Sequence, residues 1–336
     1  MSMSIAPQNQ EIRLIRHPAG KIGTDDFTLV DTAIVPAQAG EAVVKVRWLS
    51  MDTYLQERAA GDAMGPIVPL QGRMAGRGLG TVIEGALPAG TLVRGEFGWQ
   101  RYATVSAADL VTIPSSSAPE TWHLSVLGVP GLTAWLGLHH CLLRNELDQE
   151  GKTLLISSAA GTVGAVAGQL ARLSGLRVVG IAGGPAKCAR LKELGFHAAI
   201  NRHTVTSWAD ALGAAAPKGI DFYFDNVGGE ILEAAVQSTN DGARVLLCGQ
   251  SSAYSGQAAR INSQDILYKR LNIEGFLVWD HAAAFAQAGQ ALTKAATAGD
   301  IKLDETIHNG LATAPAALRA MLDGNGIGKH LVRLED

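Results

Sequence analysis

The rhythm of apolar and polar positions changes near residue 124. Before it, short β-like runs at 11–15, 42–48, 80–84, 92–95 and 110–113 are separated by Gly and Pro. That pattern predicts a small, irregular β-rich domain. After it, apolar runs alternate with segments of helical spacing. Residues 153–157 form a short apolar run followed by a Gly-containing turn. Val163, Val166, Ala167, Leu170, Ala171 and Leu173 then share a helical face. Further strands are predicted at 177–181, 220–224 and 243–248, and helices at 185–194 and 229–238. Strands joined by helices at this spacing predict a parallel doubly wound sheet. An Ala-rich helix is predicted at 282–298, an amphipathic one at 314–322 and a last strand at 328–334. The expected fold class is α/β: a β-rich domain of residues 1–123 and 302–336, and a Rossmann doubly wound parallel-sheet domain of residues 124–301.

Composition narrows the class. A chain of 336 residues is long for one core, which agrees with two domains. Hydrophobic residues make up 47%, enough to argue against disorder. A net charge of −3 and the lack of a basic run exclude a nucleic-acid or anionic-membrane partner. There is no apolar run long enough to span a bilayer, and residues 1–10 lack a signal-peptide pattern. Cys141, Cys188 and Cys248 stand far apart, which suits a reducing compartment. A soluble cytosolic protein is expected.

The turn Ser157-Ser158-Ala159-Ala160-Gly161-Thr162-Val163-Gly164 carries the first chemistry. It is a dinucleotide fingerprint, Ala-x-Gly-x-x-Gly, between a predicted strand and helix. Small residues there let the backbone approach a pyrophosphate, and the helix N-terminus offers N–H groups and a positive dipole end. By itself the motif is equally a Gly/Ala-rich turn of another α/β protein; its place in a βαβ unit favours the cofactor. The end of the second strand reads Ile181-Ala182-Gly183-Gly184-Pro185-Ala186-Lys187, without the acid that holds an NAD ribose. Lys187 and Arg202 are the available cations, which favours the 2′-phosphate of NADP(H). The competing reading is that both are ordinary solvated cations.

Metal and nucleophile signals are weak. Three separated Cys cannot build a four-Cys zinc loop, and no His-Glu pair occurs. Neighbouring positions of His139-His140-Cys141 point about 100° apart on a helix, so they do not converge on one ion. No Gly-x-Ser-x-Gly elbow suggests a hydrolase.

Several segments carry a family resemblance: Leu-Gly-Val-Pro-Gly-Leu-Thr-Ala at 127–134, Ser-Ala-Ala-Gly-Thr-Val-Gly at 158–164, Val-Gly-Ile-Ala-Gly-Gly at 179–184 and Tyr-Phe-Asp-Asn-Val-Gly-Gly at 223–229. Leu-Ser-Met-Asp-Thr-Tyr at 49–54, Gly-Glu-Phe-Gly-Trp-Gln at 95–100 and Leu-Cys-Gly-Gln-Ser-Ser-Ala-Tyr at 247–254 add to them. From about residue 11 to the C-terminus the chain resembles the zinc-independent medium-chain dehydrogenase/reductases. Within these it resembles the NADP-dependent double-bond reductases, which include leukotriene B4 dehydrogenase/prostaglandin reductase and curcumin reductase. The resemblance implies a GroES-like β-rich domain, a Rossmann domain and a homodimer. It also implies that Ala160, Gly161, Thr162, Val163 and Gly164 meet the pyrophosphate and that Lys187, beside Gly183, meets the 2′-phosphate. Asn226, Cys248, Gly249, Gln250, Ser251, Ser252, Tyr254, Phe276, Leu277 and Val278 would line the cofactor. Two positions depart from the family: Arg202 stands where Tyr is usual, and Gly326 where Asn is usual, with Asn325 as the neighbouring substitute.

Such a family implies hydride transfer from NADPH to the β-carbon of a small apolar enone or enal. A hydroxyl donor would then stabilise the enolate that forms. Tyr254 is the first candidate donor, on the ligand-bearing edge of the sheet; packing against the cofactor is the competing role. Tyr54 is the second, with a half-buried structural role as its alternative. Trp99, Trp135 and Trp279 are candidate pocket walls, each equally a core residue. Asp52 is expected to hold local backbone. The Gly- and Met-rich loop 72–76 reads as mobile. Rival functions are quinone reduction within the same superfamily and a non-catalytic dinucleotide-binding protein.

Overall fold

A computed structural model describes residues 8–61, 65–115, 118–144, 149–256 and 258–334. In chain order its elements are β1 Gln8–Leu14, β2 Phe27–Ala33, β3 Glu41–Ser50, α1 Tyr54–Ala60, β4 Arg77–Gly85, β5 Leu92–Glu96, β6 Tyr102–Ser106 and β7 Val111–Thr112. Next come α2 Val129–Leu136, β8 Thr153–Ile156, α3 Thr162–Leu173, β9 Arg177–Ala182, α4 Pro185–Glu193, β10 Ala198–Asn201, α5 Trp208–Ala215, β11 Ile220–Asp225 and α6 Gly229–Gln237. The chain ends with β12 Thr239–Leu247, α7 Ser263–Lys269, β13 Asn272–Gly275, α8 Phe285–Thr297, β14 Glu305–Asn309, α9 Ala314–Leu322 and β15 Lys329–Arg333. Two compact units result, one from the residues up to Leu124 together with those from Glu305 on, the other from Ser125–Asp304.

The first unit is strand-rich. Its seven-stranded sheet runs β14-β15-β3-β4-β5-β7, with β6 also on β3, and β1 and β2 form a separate antiparallel pair. Apart from the parallel pair β14–β15, its ladders are antiparallel. Residues 72–76, read from sequence as mobile, are pinned instead. Met74 is fully buried; its N–H donates to Ile12 O at 2.9 Å, and its carbonyl accepts from Trp99 N at 2.9 Å. Trp99 belongs to this core, fully buried and tilted against Phe27 with ring centroids 5.3 Å apart, so it walls no pocket.

The second unit is a parallel six-stranded sheet in the order β10-β9-β8-β11-β12-β13. Reversal of strand order between β8 and β11 makes it doubly wound, and ligands of such sheets sit at the carboxyl ends beside that reversal. β8 is buried along its whole length and β9 along all but its first residue, which explains their unbroken apolar runs. The helix predicted at 282–298 is α8, with its first three residues, 282–284, ending the 3-10 stretch Val278–Ala284 instead. Among the described residues, no helix is long and apolar enough to cross a membrane.

Candidate active site

The fingerprint turn follows β8. Ser158 holds a left-handed φ of +49°, a strained conformation for a residue with a side chain. Gly161 is the N-cap of α3, with extended backbone and no side-chain cap. The first-turn N–H groups of Thr162, Val163 and Gly164 therefore lack intrahelical acceptors and face a prospective anion with the positive dipole end. Close approach explains the small residues. A Cβ on Gly164 would lie 2.7 Å from Ser158 O and 2.8 Å from the Ala159 Cα. One on Gly180 of β9 would lie 2.9 Å from the Ala159 Cβ. Any larger side chain pushes the helix end off the turn.

Asp225 ties this turn to the next two, through its buried carboxylate and its main-chain carbonyl. Asp225 ends β11 with no solvent exposure. Its Oδ1 accepts from Ser157 Oγ at 2.7 Å and Tyr223 OH at 2.6 Å, and from the N–H groups of Val227 and Gly228 at 3.0 and 3.1 Å. Oδ2 accepts from Gly228 N at 3.0 Å. The Asp225 carbonyl accepts from Cys248 N and Gly249 N at 2.8 and 3.1 Å, so the end of β12 is held as well. Asn226 completes the link: its N–H donates to Ser157 Oγ at 2.7 Å and its side-chain Nδ2 to Ser157 O at 2.8 Å. That leaves its amide oxygen for any ligand. Burial, then Asp225, pushes the Tyr223 phenol well above its usual value, so it stays a proton donor to the carboxylate.

The end of β9 forms a cationic corner. Gly183 carries no side chain, and where its Cβ would stand lie Arg202 Nε, His203 Cε1 and His203 Nε2, each 3.1 Å away. Lys187, on the first turn of α4, is held below its usual pKa by burial and then by Arg202. Asn201 fixes the corner: its Oδ1 accepts from Gly184 N at 2.8 Å and His203 N at 3.2 Å. Thus Arg202 stands beside Gly183, and Lys187 lies near enough to feel its charge. His203 was not predicted; its signal was its place beside Arg202, just after the third strand.

The remaining cofactor-lining candidates of this unit occupy the carboxyl ends of β12 and β13. Cys248, Gly249 and Gln250 lead into the short helix Ser251–Ser255, where Ser252 N donates to Val227 O at 2.9 Å and Ser251 Oγ to Asn226 O at 3.3 Å. The backbone of Tyr254 lies in that helix; its side chain lies outside the described residues. Phe276 and Val278 are buried, whereas Leu277 is exposed. Phe276 stacks on His281 with centroids 5.1 Å apart. Trp135 is buried against His139 and His140, and Trp279 is exposed. Burial, then nearby charges, pushes the Cys141 thiol up to about 11 and Cys248 to about 12. Both are thus poor nucleophiles at neutral pH.

In the first unit, Tyr54 opens α1. Its OH lies 3.5 Å from both Glu96 oxygens, and Arg58 and Arg77 flank its ring at 5.1 and 4.9 Å. Burial, then Asp52 and Glu96, raises its pKa, so Tyr54 remains a neutral O–H donor. Asp52 corrects the expectation of a backbone anchor: its carboxylate takes Lys329 Nζ at 2.6 Å and Ser50 Oγ at 2.6 Å. Burial alone would raise the carboxyl, but Lys329 and the two side-chain bonds outweigh it and hold it low. Asn325 is exposed, with its N–H on Ala320 O at 2.8 Å. Gly326 has a physical reason to lack a side chain. Its φ is +86°, and a Cβ would lie 2.7 Å from both His330 Nε2 and Thr306 Oγ1.

Sequence reasoning missed Asp225 as the organiser of the site. The available signal was a lone acid closing the apolar run Phe222-Tyr223-Phe224.

Comparison with known proteins places these features in a family. The family described as zinc-binding dehydrogenase matches residues 162–294, and the one described as N-terminal domain of oxidoreductase matches 10–113. Among the described residues, no group of three His, Cys, Asp or Glu stands close enough together to hold a metal ion. The chain is 36% identical to a putative NADP-dependent oxidoreductase, YfmJ, of Bacillus subtilis, over 97% of this chain and 98% of that one. It is 32% identical to an NADPH-dependent curcumin reductase of Escherichia coli, over 97% of each. The structure of CurA from Vibrio vulnificus in complex with NADPH matches with a TM-score of 0.89 at 30% identity, over 97% of this chain and 99% of that one.

Proposed function

Because this chain belongs to the medium-chain dehydrogenase/reductase family, in its branch of NADP-dependent double-bond reductases, we propose that it reduces the C=C bond of α,β-unsaturated ketones and aldehydes with NADPH and without zinc. The observation that carries the reading is the end of β9, where a guanidinium and an imidazole fill the space an NAD-binding acid would need. NADP(H) supplies the hydride for the β-carbon. The chain's residues do the rest. The N–H groups of residues 162–164 hold the pyrophosphate, with Ala160 and Gly161 giving it room. Lys187 and Arg202 hold the 2′-phosphate. Asn226, residues 248–252 and residues 276–278 line the dinucleotide, and Asn325 serves where the family Asn is missing. Tyr254 donates to the developing enolate oxygen, and Tyr54, kept neutral, is the second donor.

The experiment compares NADPH oxidation with an enone, an enal and a quinone. The reading expects turnover of the first two and a fall of about 10²-fold in kcat for enones in Tyr254→Phe, the scale of losing one oxyanion donor. Unchanged turnover in Tyr254→Phe removes it as donor. Preference for the quinone selects the rival reductase, and no turnover with any acceptor selects the non-catalytic alternative.

The active form is proposed to be a cytoplasmic homodimer. Supporting it, β13 ends the sheet, and Leu267 and Tyr268 on the preceding α7 are each 68% exposed. A strand at the end of a sheet and exposed apolar side chains are features that association would cover. Sedimentation equilibrium giving the mass of a single 35.1 kDa chain would refute it. The cytoplasm suits a chain whose Cys141, Cys188 and Cys248 are all free thiols; recovery outside that fraction on cell fractionation would contradict this.

A further inference from the structure

His203 stands at the cationic corner without a role in the reading above. We propose that His203 is a third, protonation-dependent ligand for the cofactor's 2′-phosphate, so that preference for NADPH over NADH strengthens as pH falls. The inference rests on the placement of that phosphate at Gly183.

Geometry carries it. His203 Cε1 and Nε2 lie 3.1 Å from the space a Gly183 side chain would fill, level with Arg202 Nε. That space follows the second strand, where the ribose edge of a dinucleotide is read. The ring is not there by chance of a loose loop. Asn201 Oδ1 accepts from His203 N at 3.2 Å and from Gly184 N at 2.8 Å, fastening the turn after β10 to the turn after β9. Thr204 Oγ1, donating to Asn201 O at 3.1 Å, closes the same turn. Both Arg202 and His203 are exposed, so an incoming phosphate reaches them.

The charge balance gives the sign. Charged groups near this turn are Lys187 on α4 and Arg202 in the turn of His203 itself, with Lys192 of α4 and Asp210 of α5 lining the groove that Asn201 and Thr204 share; Gly183 and Gly184, at the end of β9, contribute no side chain. A phosphate dianion beside the ring favours its protonated form, so phosphate binding takes up a proton on His203. By linkage, a proton taken up on binding makes binding tighter as pH falls, by at most tenfold per pH unit for one proton. NADH has no 2′-phosphate, so its affinity carries none of this dependence.

The test measures dissociation constants of NADPH and NADH by nucleotide fluorescence between about pH 6.5 and 8.5, for the wild type, His203→Gln and Lys187→Ala. The phosphate's own proton, with a pKa of about 6, acts on all three alike, so differences between variants are read. The wild-type preference for NADPH should be roughly three- to tenfold greater at the lower pH than in His203→Gln, and the two should converge at the higher pH. Coincident profiles for wild type and His203→Gln overturn the proposal, while a weakened NADPH affinity in Lys187→Ala would leave the phosphate placement standing. A Lys187→Ala variant with undiminished NADPH preference overturns that placement and the proposal together.

Discussion

Asp225→Ala is expected to lower the free energy of unfolding by about 3–5 kcal/mol and to weaken NADPH binding. The carboxylate has no solvent exposure and accepts from two hydroxyls and two backbone N–H groups. Hydrogen bonds to a charged acceptor contribute about 1.5–3 kcal/mol each, and they do not add fully because they share one group. Removing the acceptor leaves Ser157 and Tyr223 buried without it. The loss is expected to be structural and functional at once, because the same oxygen orients the turn 157–164 through Ser157 and the turn after β11 through the Val227 and Gly228 backbone. Ser157→Ala removes one of these bonds together with the acceptor of the Asn226 N–H, and should lose less, about 1–3 kcal/mol. Urea denaturation checks both variants. An Asp225→Ala protein within about 1 kcal/mol of wild type would mean that the carboxylate does not hold the turns after β8 and β11 together.

The second large effect is on cofactor choice. Replacing Lys187 and Arg202 together by Ala should raise the dissociation constant for NADPH by roughly 30- to 1000-fold and leave that for NADH within about threefold. Two contacts to a phosphate dianion are worth about 2–4 kcal/mol together when the side chains are partly or fully exposed. NADH forms neither contact. The prediction is strengthened by Lys187 being held below its usual pKa by burial and by Arg202, a cost that an anion between the two would relieve. Isothermal titration with both nucleotides checks it. Equal losses for NADPH and NADH would show that the two side chains support the fold of the corner rather than the 2′-phosphate.

The fold was legible where elements bury both faces or show a strong helical stripe. β8, β9, β11 and α3 were placed within two residues at either end, because continuous apolar runs and the Val163 to Leu173 face admit few alternatives. β10, with Ala198, Ala199 and Ile200, and β13, with Asn272, Ile273 and Glu274, escaped because a short edge strand needs little apolar surface. β2 escaped for a related reason: of its residues only Phe27 is buried. Loop 72–76 was misread because Gly content suggests freedom, while Met74 anchors the segment under β1.

The site was legible in its local motifs and not in its convergences. The turn at 157–164 and the acid-free strand end could be read because backbone approach and phosphate charge dictate residue type at fixed offsets. The meeting of Gly183 with Arg202 and His203 depends on the register of β10 against β9, which pairs Asn201 with Ala182 and which no local spacing reveals. The partner of Asp52 lies 277 residues away at Lys329, beyond any sequence window.

Hydride delivery from NADPH to a carbon–carbon double bond is tested by one turnover of an α,β-unsaturated ketone with NADPH deuterated at the nicotinamide C4, followed by NMR of the product. A saturated ketone carrying one deuterium at the β-carbon is expected. Deuterium at the carbonyl carbon of an allylic alcohol, or NADPH left unoxidised, would contradict it.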